Sequence, residues 1–85
     1  MLTSRWLMRS AIEQYIIDRV REKRIAKKVS QAELAYQLGF ESTAYVGEIE
    51  STKPESTKSY NIDHLNAIAK ILECSPKDFM PEKPF

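Results

Sequence analysis

Ser30-Gln31-Ala32-Glu33-Leu34-Ala35-Tyr36-Gln37-Leu38-Gly39-Phe40-Glu41-Ser42-Thr43-Ala44-Tyr45-Val46-Gly47-Glu48-Ile49-Glu50 is the stretch whose reading decides the fold. Its first four residues have the form of a capping box, in which the serine hydroxyl accepts from the amide three residues on and the glutamate reaches back. Leu34, Ala35 and Leu38 then recur at helical spacing, and Gly39 stands where a left-handed residue ends a helix because it has no Cβ to clash. After the turn, Ser42 is placed to cap a second short helix, with Val46 and Ile49 facing inward three residues apart. A small side chain at Ala35 lets the two helices cross closely. Two short helices around a tight glycine turn are thus expected over residues 30–50.

Working outward, the apolar positions Ile12, Ile16 and Val20 fall four apart, with Tyr15 and Ile17 widening the stripe. They predict a long first helix from about Ser10 to Lys27. Val29, just before the Ser30 cap, suits a hydrophobic staple. Residues 51–60 are polar, contain Pro54 and have no apolar period, so they read as a loop. Asn61 caps the next helix, with Ile62, Leu65, Ile68, Ala69 and Leu72 as its inward face. Ser75-Pro76 reads as the start of a last short helix carrying Phe79 and Met80 into the core, and Pro81 ends it. The expectation is an all-α chain of five helices with an N-terminal extension. Residues 1–15 form that extension and begin the long first helix, 16–80 the domain, and 81–85 a tail.

Eighty-five residues make one domain. A hydrophobic share of 42% and a charged share of 29% argue against disorder. No apolar run is long enough to span a bilayer, and Arg5 and Arg9 interrupt the only N-terminal stretch that resembles a signal. The single cysteine, Cys74, has no disulfide partner, which suits a reducing cytoplasm. With one cysteine and one histidine, His64, the chain has little material for nucleophilic or metal-assisted catalysis, so neither enzyme activity, a cofactor nor a metal site is expected. Net charge is only +1, but it is unevenly spread. Residues 1–30 carry eight basic and three acidic side chains, residues 31–51 four acids and no base, and residues 52–85 five of each. A basic first helix suits a surface that meets phosphates, or is a solvated charged face.

From Ile16 to Met80 the chain resembles the phage repressor and Cro-type (XRE-like) helix-turn-helix family. The resemblance rests on Arg21-Glu22-Lys23-Arg24, on Val29 through Ala35, on Leu38-Gly39, on Val46 and Ile49-Glu50, and on Leu65, Ala69, Leu72 and Phe79. It implies a DNA-binding transcriptional regulator that reads the major groove with residues 42–50. By this resemblance Gln31 grips a phosphate and braces the recognition helix, or else is a plain exposed helix former. Thr43, Ala44 and Glu48 take positions near base edges, with Tyr45 and Gly47 beside them and Ser42 among the DNA-binding residues, or they form an ordinary solvent face. Arg24 and Glu50 match a pair that ties the first helix to the end of the recognition helix and fixes its angle more than it stabilises the fold. Lys53, Lys58 and the amides around Asn61 are then phosphate contacts, or, for the lysines, loop solubility.

This chain departs from the pattern in three ways. One extra residue separates Gly39 from Val46. The loop from Thr52 to Tyr60 is long, and Tyr60 stands where a proline is common. No Arg, Lys, Gln or Asn lies on the reading helix, so strong bidentate base contacts are absent and specificity must draw on DNA shape or on a homodimer doubling the contacts. Apolar Trp6, Leu7 and Met8 either supply a partner surface or fold back on the domain. The rival expectation is a protein-interaction module on the same scaffold, antitoxin-like or a regulatory-complex subunit, motivated by the acidic central segment.

Overall fold

A computed structural model describes residues 9–53 and 55–85. The expectation for Trp6, Leu7 and Met8 lies outside the described residues. Among the described residues there are four α-helices: α1 (Ala11–Ala26), α2 (Gln31–Leu38), α3 (Tyr45–Glu50) and α4 (Ile62–Leu72). A 3-10 turn, Pro76–Phe79, closes the domain. The described residues contain no strand and no helix long and apolar enough to cross a membrane.

Local chemistry sets where each helix begins. Ser10 and Glu13 form a reciprocal capping box at α1, with the Glu13 amide donating to Ser10 Oγ (3.2 Å) and the Ser10 amide to Glu13 Oε1 (2.9 Å). Asn61 and His64 repeat the device at α4. At α2 only half of the expected box forms. Ser30 Oγ accepts from the Glu33 amide at 3.0 Å, but the Glu33 carboxylate instead accepts from Gln37 Nε2 at 2.7 Å, its neighbour one turn on. Gly39 ends α2 at φ 81°, and the Phe40 amide donates back to the Ala35 carbonyl at 3.0 Å.

Three expectations are corrected. The described residues hold four α-helices where five helices were expected, because the last expected helix is a single 3-10 turn. Ser75 and Asp78 cap its start, and the Met80 amide closes it three residues back on Lys77. Met80 consequently leaves in an extended conformation, 43% exposed, and only Phe79 enters the core. Ile62 is 78% exposed, since it occupies the first helical position of α4, beyond the edge of the packed interior.

The core is built from Ile17 and Val20 of α1, Leu34 and Ala35 of α2, Val46 and Ile49 of α3, Leu65, Ile68, Ala69 and Leu72 of α4, and Phe79. Burying each Leu, Ile or Val contributes about 1.5–3 kcal/mol, so this cluster accounts for most of the cohesion of so small a domain. Along α1 the buried line runs Ile17, Val20, Arg24, with Ile12 and Ile16 only half-buried. It ends on a charge. α2 packs on both α3 and α4, and α1 also packs against α3.

Candidate nucleic-acid interface

The turn before α3 differs from the sequence expectation. Ser42 is not the helix cap: its Oγ accepts from the Ala44 amide at 3.1 Å, and its carbonyl accepts from the Tyr45 amide at 3.2 Å. Ala44 holds the cap position without a side-chain bond. Ser42, Thr43 and Ala44 therefore sit exposed in the lead-in turn, while Tyr45, Gly47 and Glu48 stand on the helix. Residues 41–44 are exposed and give a longer helix nothing to pack on, so the serine's local bond to the nearby backbone outcompetes helix extension.

Val46 and Ile49 are fully buried, so α3 has a fixed inner side and a fixed outer side. Its last residue is locked by charge. Arg24 Nε donates to Glu50 Oε2 at 2.9 Å and Arg24 Nη2 to Glu50 Oε1 at 2.8 Å, while Arg24 Nη1 donates to the Val29 carbonyl at 2.8 Å. Such a fork on a carboxylate is both strong and directional. Gln31 joins it, its Nε2 donating to Glu50 Oε1 at 2.9 Å. One carboxylate thereby ties together α1, α2 and α3.

The other end of the Gln31 amide explains Gly47. Gln31 Oε1 lies 3.0 Å from where a Cβ on Gly47 would stand, closer than such contacts normally allow. Gly47 thus leaves room for the Gln31 amide to lie close against α3, where any side chain would push that amide aside. Gln31, Gly47 and Glu50 border a shallow hollow that also includes Asp18, Arg21 and Lys53.

Lys58 and Lys53 both lie in the loop after α3, and they differ in what they do. Lys58 Nζ is 3.2 Å from Glu48 Oε1 and 5.5 Å from the centre of the Tyr45 ring. Tyr45 in turn packs on Phe40, with ring centres 4.4 Å apart, and Phe40 meets His64 edge to face. Lys53 is exposed and borders the same concavity as Glu48 and Lys58. Asn61 Oδ1 is taken by the His64 amide at 2.7 Å, so Asn61 serves α4 as its cap.

Two residues escaped sequence reasoning. Arg9 reaches across to the far end of α3: its Nη2 donates to the Ile49 carbonyl (2.6 Å), Nη1 to the Ser51 carbonyl (3.2 Å) and Gln14 Oε1 (3.1 Å), and Nε to the Lys58 carbonyl (2.9 Å). A guanidinium at the C-terminal end of a helix is where its unsatisfied carbonyls favour positive charge. Nothing in the local pattern around Arg9 announces a partner forty residues away. Arg21 stands one turn before Arg24, its Nε 3.7 Å from Glu50 Oε1 and its side chain more than half exposed. The i, i+3 spacing from Arg24 is the signal that points to it.

Tyr60 is buried, and its hydroxyl has no hydrogen-bond partner among the described residues. Burial holds the phenol well above its ordinary range, and the nearby Glu50 carboxylate adds to this.

A family model for the Cro/C1-type helix-turn-helix DNA-binding domain matches residues 19–81. Among solved structures, the restriction-modification controller protein C.AhdI from Aeromonas hydrophila is similar at a TM-score of 0.62 and 27% identity, over 78% of this chain and 92% of that one. No curated protein matches the chain by sequence. With a family match across most of its length, α3 bound to α1 and α2 by the Arg24–Glu50–Gln31 lock, and the outer side of α3 exposed, the chain belongs to the Cro/C1-type helix-turn-helix DNA-binding family.

Proposed function

We propose that this protein is a transcriptional regulator that lays α3 and its lead-in turn in the major groove, with Thr43, Ala44 and Glu48 toward base edges. The observation that carries the reading is the lock on Glu50, which holds a six-residue helix at a set angle with its outer side exposed. A helix that short has no stability of its own, so its presentation depends on this lock and on Val46 and Ile49. Gln31, Arg21 and Lys53 border one side of the reading helix and serve the flanking phosphates. The backbone amides at the start of α4 serve the same purpose on the other side.

The working form is a homodimer in the cytoplasm, with no catalytic role. One such unit offers too little surface for regulatory affinity, whereas two recognise half-sites about 34–36 Å apart. The groove lined by Ile62, Leu65, Pro76 and Met80 offers a second copy an apolar surface. The likeness to a restriction-modification controller suggests control of such a gene set as the biological setting. Selection from random duplex DNA tests the reading. A palindromic site is expected, and the Thr43, Ala44 and Glu48 assignment fails if changing all three leaves the preferred site as it was.

The rival, a protein-interaction module, draws on the exposed Glu33, Glu41 and Glu48 of a segment without bases. The Lys58–Glu48 pair reduces its force, because a cation from the following loop already stands beside one of these acids.

A further inference from the structure

We infer that Lys58, though it lies outside the helix-turn-helix, completes the reading head. With Glu48 it forms a paired donor and acceptor that selects a G·C base pair. The inference rests on the groove reading above. Tyr45 and Glu48 are three residues apart on α3 and so lie on one stripe of its surface. The Lys58 ammonium is 3.2 Å from the Glu48 carboxylate and 5.5 Å from the Tyr45 ring centre, which places a cation from the following loop directly over that stripe. Between Ser42 and Glu50 the chain has no Arg, Lys, Gln or Asn. The long loop thus supplies the cationic donor that the helix lacks.

The chemistry of a G·C pair fits this arrangement. In the major groove guanine offers two adjacent acceptors, O6 and N7, and cytosine offers the N4 amino donor beside them. An ammonium takes the first and a carboxylate the second. An A·T pair places its donor between two separated acceptors, which suits a side-by-side cation and anion less well. The partners are also free to exchange. Both side chains are about half exposed, at 46% and 52%, so their mutual attraction in solution is weak and does not compete strongly with base contacts. A lone carboxylate is repelled in a groove walled by phosphates, but the Lys58–Glu48 pair enters with no net charge.

The test uses the full chain and its K58M and E48Q variants, each confirmed folded by circular dichroism, in selection from randomised duplex DNA followed by affinity measurement over a salt series. The expected result is a G·C pair at one position of each half-site in the unaltered protein. K58M and E48Q should each lower the preference at that same position by about tenfold, with other positions kept. The inference is overturned if K58M weakens all sequences equally and lowers the salt slope by about one, which marks a phosphate contact. It is equally overturned if the two variants act at different positions, or if K58M changes nothing. Enrichment of any site by the unaltered protein keeps the groove reading whatever the variants do. Absence of enrichment by the unaltered protein removes that reading and this inference with it.

Discussion

The Arg24 guanidinium closes on both oxygens of Glu50, and the glutamate side chain is only 2% exposed. Twenty-six residues separate the two in the chain, so the contact joins the start of the domain to the end of its reading helix. A buried ion pair of this kind contributes little net stability against an apolar pair of similar size, because desolvation offsets the attraction. Its worth is geometric.

Removing one partner should therefore be far worse than removing both. R24L leaves the Glu50 charge buried with only Gln31 and the more distant Arg21, and is expected to cost about 3–5 kcal/mol in urea unfolding. R24L/E50L should recover most of that loss while DNA affinity stays low, since α3 is no longer held at its angle. A double variant no more stable than R24L, or one with full affinity, contradicts the assignment.

G47A separates folding from binding. Alanine is the better helix former by about 0.5–1 kcal/mol, and the group it would crowd is the tip of a flexible glutamine. Thermal stability is expected to hold or rise slightly. DNA affinity should fall, because Gln31 must swing off α3, and Q31A in the G47A background should cause little further loss.

Much of this architecture was legible in the sequence. Ser30, Gly39, Asn61 and Ser75 announce their helix ends because capping is a local transaction between neighbours. The Arg24–Glu50 match came only through the family resemblance, for no periodicity links residues so far apart. Arg9 was illegible for the same reason, its distant acceptors being backbone carbonyls that carry no side-chain signature. The start of α3 was misplaced because a serine that bonds its own turn looks, in sequence, like a serine that caps a helix. Ile62 and Met80 sit in apolar patterns that run past the edge of the core, and a pattern does not reveal where its neighbours stop.

Arg9 predicts a dynamic effect. R9Q removes the guanidinium that holds the Ile49, Ser51 and Lys58 carbonyls together. Native-state hydrogen exchange over residues 50–60 should quicken while the amides of α2 and the middle of α4 keep their protection. Unchanged exchange in the loop would show that Arg9 is not its tether.

Tyr60 predicts a pH effect. Its folded pKa is raised, so the unfolded chain loses the phenolic proton first, near the ordinary value of about 10.0. Its contribution is present below pH 10 and declines as pH rises from there toward the folded value. Y60F should abolish this part of the alkaline decline. At neutral pH it should be neutral or stabilising by about 1 kcal/mol, because it removes a buried hydroxyl without a partner. A loss of stability in Y60F at pH 7 would mean that the hydroxyl is bonded after all.

The most direct measurement for the central claim is the affinity of the folded protein for labelled duplex DNA as salt is raised from about 50 to 200 mM. If α3 enters the groove with Gln31, Arg21, Lys53 and the start of α4 on the flanking phosphates, log affinity falls linearly with log salt, by about 0.9 for each phosphate neutralised. A folded protein that binds no duplex at about 50 mM salt, or binds with no salt dependence, contradicts it.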